Sequence, residues 1–317
     1  MSIRRTTAAA AIGIAALLTV PLFAATAAQA QSGKAFDLSP EQAGRPHTEK
    51  VDAAIAAISP GFKFVKDGVF TVGVSVGDPP LNTYGSDAKT VVGTDADIAS
   101  LVAESLGRKV EFVPVAWADW PLGLVSGRFD AVISNVTVTE ERKQRFDFSS
   151  YRQDVLGAYV AVNSPIKSIK EPKDIVGLKV IVGAGTNQEK IVVEWDRQNV
   201  AAGLKPAEFL YFDDNGASQL ALTSGRADVE INPNSRLAYA AAVSGKTRAV
   251  GVINGGWPLT AEIAITTRKG SGLADALTLA INTLIRNGKY REALARWNLT
   301  DEAIEQSRTN PPGLPKV

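Results

Sequence analysis

Apolar residues follow two alternating rhythms along this chain. Residues 69–74, Val-Phe-Thr-Val-Gly-Val, make a β-branched, strand-like run. Over 95–106 the apolar positions recur at helical spacing, and Gly107 stands as a C-terminal stop. The pattern then predicts a strand over 109–115, a helix over 120–125 closing on Ser126-Gly127, and a strand over 130–134. A short Ala-rich helix over 48–58, ending before Pro60, precedes all of these, and residues 31–46 are polar and unpatterned. Strands alternating with helices imply an α/β fold with a parallel-rich sheet covered on both faces.

One phrase occurs twice. LVSGRFDAVISN at 124–135 returns 98 positions later as LTSGRADVEINP at 222–233. In each copy an apolar helix stops at Ser-Gly, where glycine takes the left-handed cap, and Asp130 or Asp228 leads into a buried strand. Two similar lobes would produce this, and so would chance, because helix-Gly-strand phrases recur in α/β proteins. Each copy ends in polar residues, Asn135 and Thr137 in the first and Asn232 and Asn234 in the second. Ligands of open α/β sheets sit beyond the carboxyl ends of strands, so two such ends facing each other would frame one cleft.

Composition removes several chemistries. There is no cysteine, hence no disulfide, thiolate nucleophile or lipidated anchor, and the single histidine, His47, lies ahead of the first strand. No metal or cofactor is expected. Arg4 and Arg5, an apolar run from 8 to about 24 and Ala28-Gln29-Ala30 read as a secretory signal peptide over residues 1–30. Thr19 and Pro21 interrupt a run already short for a membrane span. Without Arg4 and Arg5, 32 of the 34 basic residues face 33 acidic ones, a balance that gives a nucleic acid no reason to bind.

The order of several motifs carries a resemblance. Gly93-Thr94-Asp95-Ala96-Asp97, Trp117 ahead of SGRFD, Thr137-Val138-Thr139-Glu140-Glu141-Arg142 and Phe146-Asp147-Phe148-Ser149 come first. Gly185-Thr186, SGRAD, Gly288-Lys289-Tyr290 and Ala295-Arg296-Trp297 follow. From about Phe70 to Leu299 the chain resembles the solute-binding proteins of polar amino-acid ABC importers. The resemblance implies a two-lobed, type II periplasmic-binding-protein clamp, each lobe a mixed, mostly parallel sheet flanked by helices. It places lobe 1 at 60–156 and 259–317 and lobe 2 at 157–258, after an N-terminal extension at 31–59. Two hinge crossings would run near 154–158 and 259–264. It also implies a periplasmic monomer that takes up an amino acid or a derivative and hands it to inner-membrane permease subunits.

Site residues follow from the same resemblance. Arg142 matches the arginine that grips the ligand α-carboxylate, a task suited to a planar double donor; a solvated arginine in a charged run is the alternative. Asn135 and Thr137 match ligand-contact positions that also suit loop capping. Thr186 and Asn187 open a helix after a glycine turn, where free amides attract anions and Thr186 is equally suited to capping. Trp117 matches an apolar wall of the pocket, with core burial the alternative. Two departures stand out. The aspartate that pairs with the ligand ammonium is replaced by Pro233, and Asp78 stands where an aromatic residue is usual. Asp78, with Asn232 or Asn234, is therefore the candidate for a cationic group, unless Asp78 only caps the turn before Pro79. A second class of function is an enzyme on the same scaffold, resembling periplasmic cyclohexadienyl dehydratases, with Asp78, Asp213 or Glu230 as the acid.

Overall fold

The computed structural model describes residues 36–77 and 79–316. The expected signal peptide, the first residues of the extension and Asp78 lie outside the described residues. In chain order the first half runs α1 (Asp52–Ala56), β1 (Val69–Val74), β2 (Thr83–Tyr84), β3 (Val91–Val92), α2 (Thr94–Ser105), β4 (Lys109–Pro114), α3 (Trp120–Val125), β5 (Ala131–Val132) and β6 (Phe146–Gln153). The second half runs β7 (Val155–Ala161), β8 (Lys179–Ile181), α4 (Asn187–Ala201), β9 (Glu208–Leu210), α5 (Asn215–Thr223), β10 (Val229–Pro233), α6 (Asn234–Ser244), β11 (Thr247–Asn254), β12 (Glu262–Arg268), α7 (Ala274–Arg286) and α8 (Lys289–Arg296).

Ten of the strands form two five-stranded sheets, ordered β4-β1-β5-β12-β6 and β9-β8-β10-β7-β11. The two orders correspond strand for strand. In each sheet the first three strands are parallel, the fourth is antiparallel to both its neighbours, and the fifth thus runs with the first three. The reversed strand, β12 or β7, is the one that enters from the other sheet. The repeated phrase leads into the central strand of each sheet, β5 or β10, so the duplication in sequence marks equivalent places in two lobes. Gly127 and Gly225 cap the preceding helices with φ of 75° and 76°, a left-handed turn that glycine adopts without a Cβ clash. Asp130 Oδ2 then accepts from Thr71 N (2.8 Å) and Thr71 Oγ1 (2.6 Å), while Asp228 Oδ2 accepts from Lys179 N (2.7 Å). In both lobes the aspartate pins the neighbouring parallel strand.

Alternation along the strands sends side chains to opposite faces. On the first sheet Val72, Ile133 and Ile265 pack with α2, α7 and α8, whereas Val132, Ala264 and Phe148 pack with α3. On the second sheet Val180 and Ile231 pack against Ile191 and Trp195 of α4, and Ile181 against Leu222 of α5. Two expected elements are shorter than their sequence pattern. The Ala-rich helix keeps only Asp52–Ala56, and the strand expected over 130–134 is the pair Ala131–Val132, because the chain turns at Asn135, which has φ of 52°. The extension is anchored from Phe36 onward. Its ring stacks on Tyr239 of α6 (centroids 5.3 Å apart) and leans on Trp297 beyond α8 (5.2 Å), while Arg45 Nε donates to Asp97 Oδ1 (2.8 Å).

Candidate functional site

The carboxyl ends of β1, β5, β8 and β10 converge on one cavity of about 890 Å³ between the two sheets. From the first sheet it is lined by Ser75, Asn82, Trp117 and Asn135; from the second, by Gly183, Thr186, Asn187, Gln188, Asn232 and Arg236. Pro233 and Asp213 complete the second wall. A sheet-end crevice of this size suits a small organic ligand.

Helix α4 points its N-terminus at this space. Thr186 is its N-cap in extended conformation: the hydroxyl accepts from Glu189 N (3.2 Å) and donates to Gly183 O (2.6 Å). That hydroxyl is committed to capping, while the amides of Asn187 and Gln188, at the first helical positions, have no acceptor within the helix. Together with the helix dipole they make an anion-attracting edge.

Arg142 approaches the same helix start from the first sheet's side but lies outside the cavity lining. Its Nη1 donates to Thr137 O (2.9 Å), its Nη2 to Gly185 O (3.2 Å), and its guanidinium is 5.6 Å from the ring centre of Trp117. Among the described residues it forms no ion pair. Burial pushes its pKa down to about 10, against the attraction of Asp154 and Glu141. Beside it, Lys190 of α4 is salt-bridged to Glu141, so the start of α4 is docked on the segment 137–142.

Thr137 also stays outside the lining, at the crossing between sheets. Its hydroxyl meets Asp154 Oδ2 (2.7 Å) and Asn187 Oδ1 (2.8 Å). Asn135 lines the cavity but turns its side chain inward, where Oδ1 accepts from Arg152 Nη2, and its N–H donates to Asp95 Oδ2 (3.0 Å). On the opposite wall Asn232 accepts from Gln188 Nε2 (3.1 Å) and donates to Glu230 Oε1 (2.9 Å), which also accepts from Arg236. Asn234 is not in the lining. Its Oδ1 is 3.4 Å from Tyr159 Oη, within the second lobe.

Several polar residues here carry no role in the sequence reading. Asp95, buried in the wall of the cavity, accepts from Tyr151 Oη (2.8 Å) as well as from Asn135 N; burial raises its pKa, and Arg152, Tyr151 and Asn135 oppose this. Arg152 is buried and salt-bridged to Glu302, a partner 150 positions away that no local pattern betrays. Gln188 and Arg236 belong to this group too. For Asp95 the available signal was the Gly93-Thr94-Asp95-Ala96-Asp97 motif, which puts two acids in the buried first turn of α2.

Among the described residues no group of three or more His, Cys, Asp or Glu is placed to hold a metal ion, and no helix is long and apolar enough to cross a membrane.

The chain is similar to the L-cystine-binding protein TcyJ of Escherichia coli strain K12, with 31% identity over 237 residues covering 74% of this chain and 84% of that protein. It is also similar in structure to an ancestral arginine-binding protein bound to arginine, with a TM-score of 0.64 and 29% identity over 73% of this chain and 98% of that one. A partial likeness, 28% identity over 53% of this chain and 60% of the other, links it to the cyclohexadienyl dehydratase of Pseudomonas aeruginosa strain PAO1. The profile of the bacterial extracellular solute-binding proteins, family 3, matches residues 70–300. With that match, and with two lobes that hold a polar cleft between them, the chain belongs to the bacterial extracellular solute-binding proteins of family 3.

Proposed function

We propose that this protein captures an amino acid or an amino-acid derivative by closing two lobes, 60–156 with 259–317 and 157–258, and delivers it from the periplasm to the permease of an ABC importer. The observation that carries the reading is the pairing of Arg142, a guanidinium without an ion-pair partner among the described residues, with the free amides at the start of α4. A carboxylate at the start of α4 would meet the helix N-terminus of one lobe, and Arg142 of the other, now held by the carbonyls of Thr137 and Gly185 beside that turn, would swing its planar donors toward it; each such charge-assisted bond is stronger than a neutral one. Binding then favours the closed population, because only that arrangement presents both sets of donors. Trp117 supplies the apolar wall for the rest of the ligand.

Pro233 removes the usual ammonium anchor, so recognition of a cationic group falls to Asp78 and Asn232. Asn232 already engages Gln188 and Glu230 but keeps a second lone pair on Oδ1. The L-cystine-binding and arginine-binding relatives, together with a likeness to the glutamine-binding protein GlnH of Bacillus subtilis, suggest cystine, arginine and glutamine as first probes. Calorimetric titration of the mature protein with these three amino acids tests the reading. Saturable binding to at least one is expected, with strong loss in Arg142→Ala. Equal affinity in that variant would remove the carboxylate grip. The likeness to a dehydratase motivates one control: turnover of prephenate or arogenate would move the protein to the enzyme class.

A further inference from the structure

Asp154 is the single residue between β6 and β7, where the chain leaves one sheet for the other. It is also tied to the return crossing, since its N–H donates to Ala261 O (3.0 Å) and its C=O accepts from Gly255 N (2.9 Å). Its side chain is buried. Gly255 packs so closely that an added Cβ would come within 2.1 Å of the Asp154 carboxyl carbon.

Three side-chain groups close a ring here. Asn187 Nδ2 donates to Asp154 Oδ2 (2.7 Å) and to Gly255 O (2.9 Å), Thr137 Oγ1 lies 2.7 Å from Asp154 Oδ2, and it also lies 2.8 Å from Asn187 Oδ1. The carbonyl of Gly255 only accepts, which fixes the amide with its nitrogen toward Gly255 and Asp154 and its oxygen toward Thr137. Thr137 then has one hydrogen for two oxygen neighbours. With Asp154 ionised, one of those short oxygen–oxygen contacts holds no hydrogen. One more proton completes the ring: Asp154 Oδ2–H donates to Thr137 Oγ1, and Thr137 Oγ1–H donates to Asn187 Oδ1.

We infer that the closed clamp carries a second, ligand-linked binding site, for a proton, formed by Asp154 with Thr137 of one lobe and Asn187 of the other. The inference rests on the reading that the lobes close on their ligand. The charged groups facing the carboxyl are Arg142, Arg152 from β6, and Glu302 from the C-terminal segment. The two guanidiniums favour the carboxylate and Glu302 disfavours it, but Arg152 is already salt-bridged to Glu302 and Arg142 is held by two carbonyls. From α4 and from the return crossing the contacts are neutral, an amide and a backbone carbonyl. Burial raises the Asp154 pKa despite its hydrogen bonds and the two arginines. When the lobes part, Asn187 leaves with α4, water reaches the carboxyl, and its pKa falls back toward the ordinary carboxylate range. The closed state thus binds the proton more tightly, so closure takes one up. Linkage fixes the sign: the proton's support for closure is full below the open-state pKa and is lost as pH rises through the closed-state pKa.

Calorimetric titration of the mature protein with L-arginine, L-cystine and L-glutamine, in two buffers of different ionisation enthalpy, counts protons taken up on binding. For whichever amino acid binds, up to one proton per ligand is expected in the window between the open-state and closed-state pKa of Asp154, found by repeating the titration over a range of pH, with affinity falling by at most about tenfold per pH unit of rise there. Asp154→Asn, which removes the titrating carboxyl, is expected to bring both the uptake and the pH slope to zero. Asn187→Ala, which opens the ring and frees the Thr137 hydrogen for the carboxylate, is expected to lower the uptake, and it serves if Asp154→Asn does not fold. Binding with no proton uptake, or an uptake unchanged in both variants, overturns this site alone. Absence of binding by all three amino acids overturns the reading it rests on as well.

Discussion

Nη2 of Arg142 donates to the carbonyl oxygen of Gly185 at 3.2 Å, so a cation of one lobe rests one residue ahead of the helix cap of the other. This contact sets the first expectation. Truncating a charge that pairs with a desolvated ligand carboxylate costs about 2–5 kcal/mol of binding. Arg142→Ala is therefore expected to weaken ligand binding by well over tenfold, and Arg142→Lys to recover only part, lacking the second parallel donor. Because burial holds the guanidinium pKa at about 10, the affinity should also fall as pH rises through that value, where the cation is lost. Titration calorimetry across the alkaline range reads both effects.

The repeated aspartates should differ in weight. Asp130 is buried and accepts from Val65 N, Thr71 N and Thr71 Oγ1, whereas Asp228 accepts from Lys179 N alone at a more exposed place. An unsatisfied buried partner costs about 1–3 kcal/mol. Urea denaturation is expected to show Asp130→Asn losing about 2 kcal/mol and Asp228→Asn less than about 1. Equal losses would mean that the two lobes use the motif identically.

Phe129 fills a slot that two glycines leave open. A Cβ on Gly73 or on Gly123 would lie 2.7 Å from the Phe129 ring, which is itself fully buried. Overpacking of this kind costs about 1–3 kcal/mol. Gly123→Ala should lower the melting temperature, and Phe129→Leu in that background should restore part of the loss. Strictly additive losses in the double variant would argue against direct contact.

Phe36 touches both lobes, stacking on Tyr239 of α6 and leaning at an angle on Trp297. An aromatic pair adds about 0.5–1.5 kcal/mol beyond area burial. Phe36→Ala is expected to destabilise the protein by about 1–3 kcal/mol, below the cost of a fully buried phenylalanine, because the ring is only half-buried. It should also change ligand affinity, since the contact to Tyr239 depends on how the lobes lie. An unchanged affinity would confine the extension to a role in stability.

What the sequence determined by itself was local and repeated. Strand β1, helices α2 and α3 and the caps at Gly107 and Gly127 follow from period, β-branched runs and glycine's freedom at positive φ, all readable within a dozen residues. The SGR phrase announced two equivalent lobes because the same helix-stop-strand problem is solved twice. The extent of short elements was not legible, since the strand expected over 130–134 is only Ala131–Val132, paired with Gly73 and Thr266.

Only the tertiary structure decided how charge is arranged. Asp95, Tyr151, Arg152 and Glu302 form one buried network from three distant segments. Thr137 and Asn187 meet at Asp154 only because two crossings bring the sheets together there. Thr186 turned out to spend its hydroxyl on a cap, leaving the amides behind it to face the cavity. The physical reason is the same in each case. A backbone pattern is set by neighbours in sequence, whereas a buried polar group must find its partners wherever folding delivers them, at separations of 50 residues for Thr137 and Asn187 and 150 for Arg152 and Glu302.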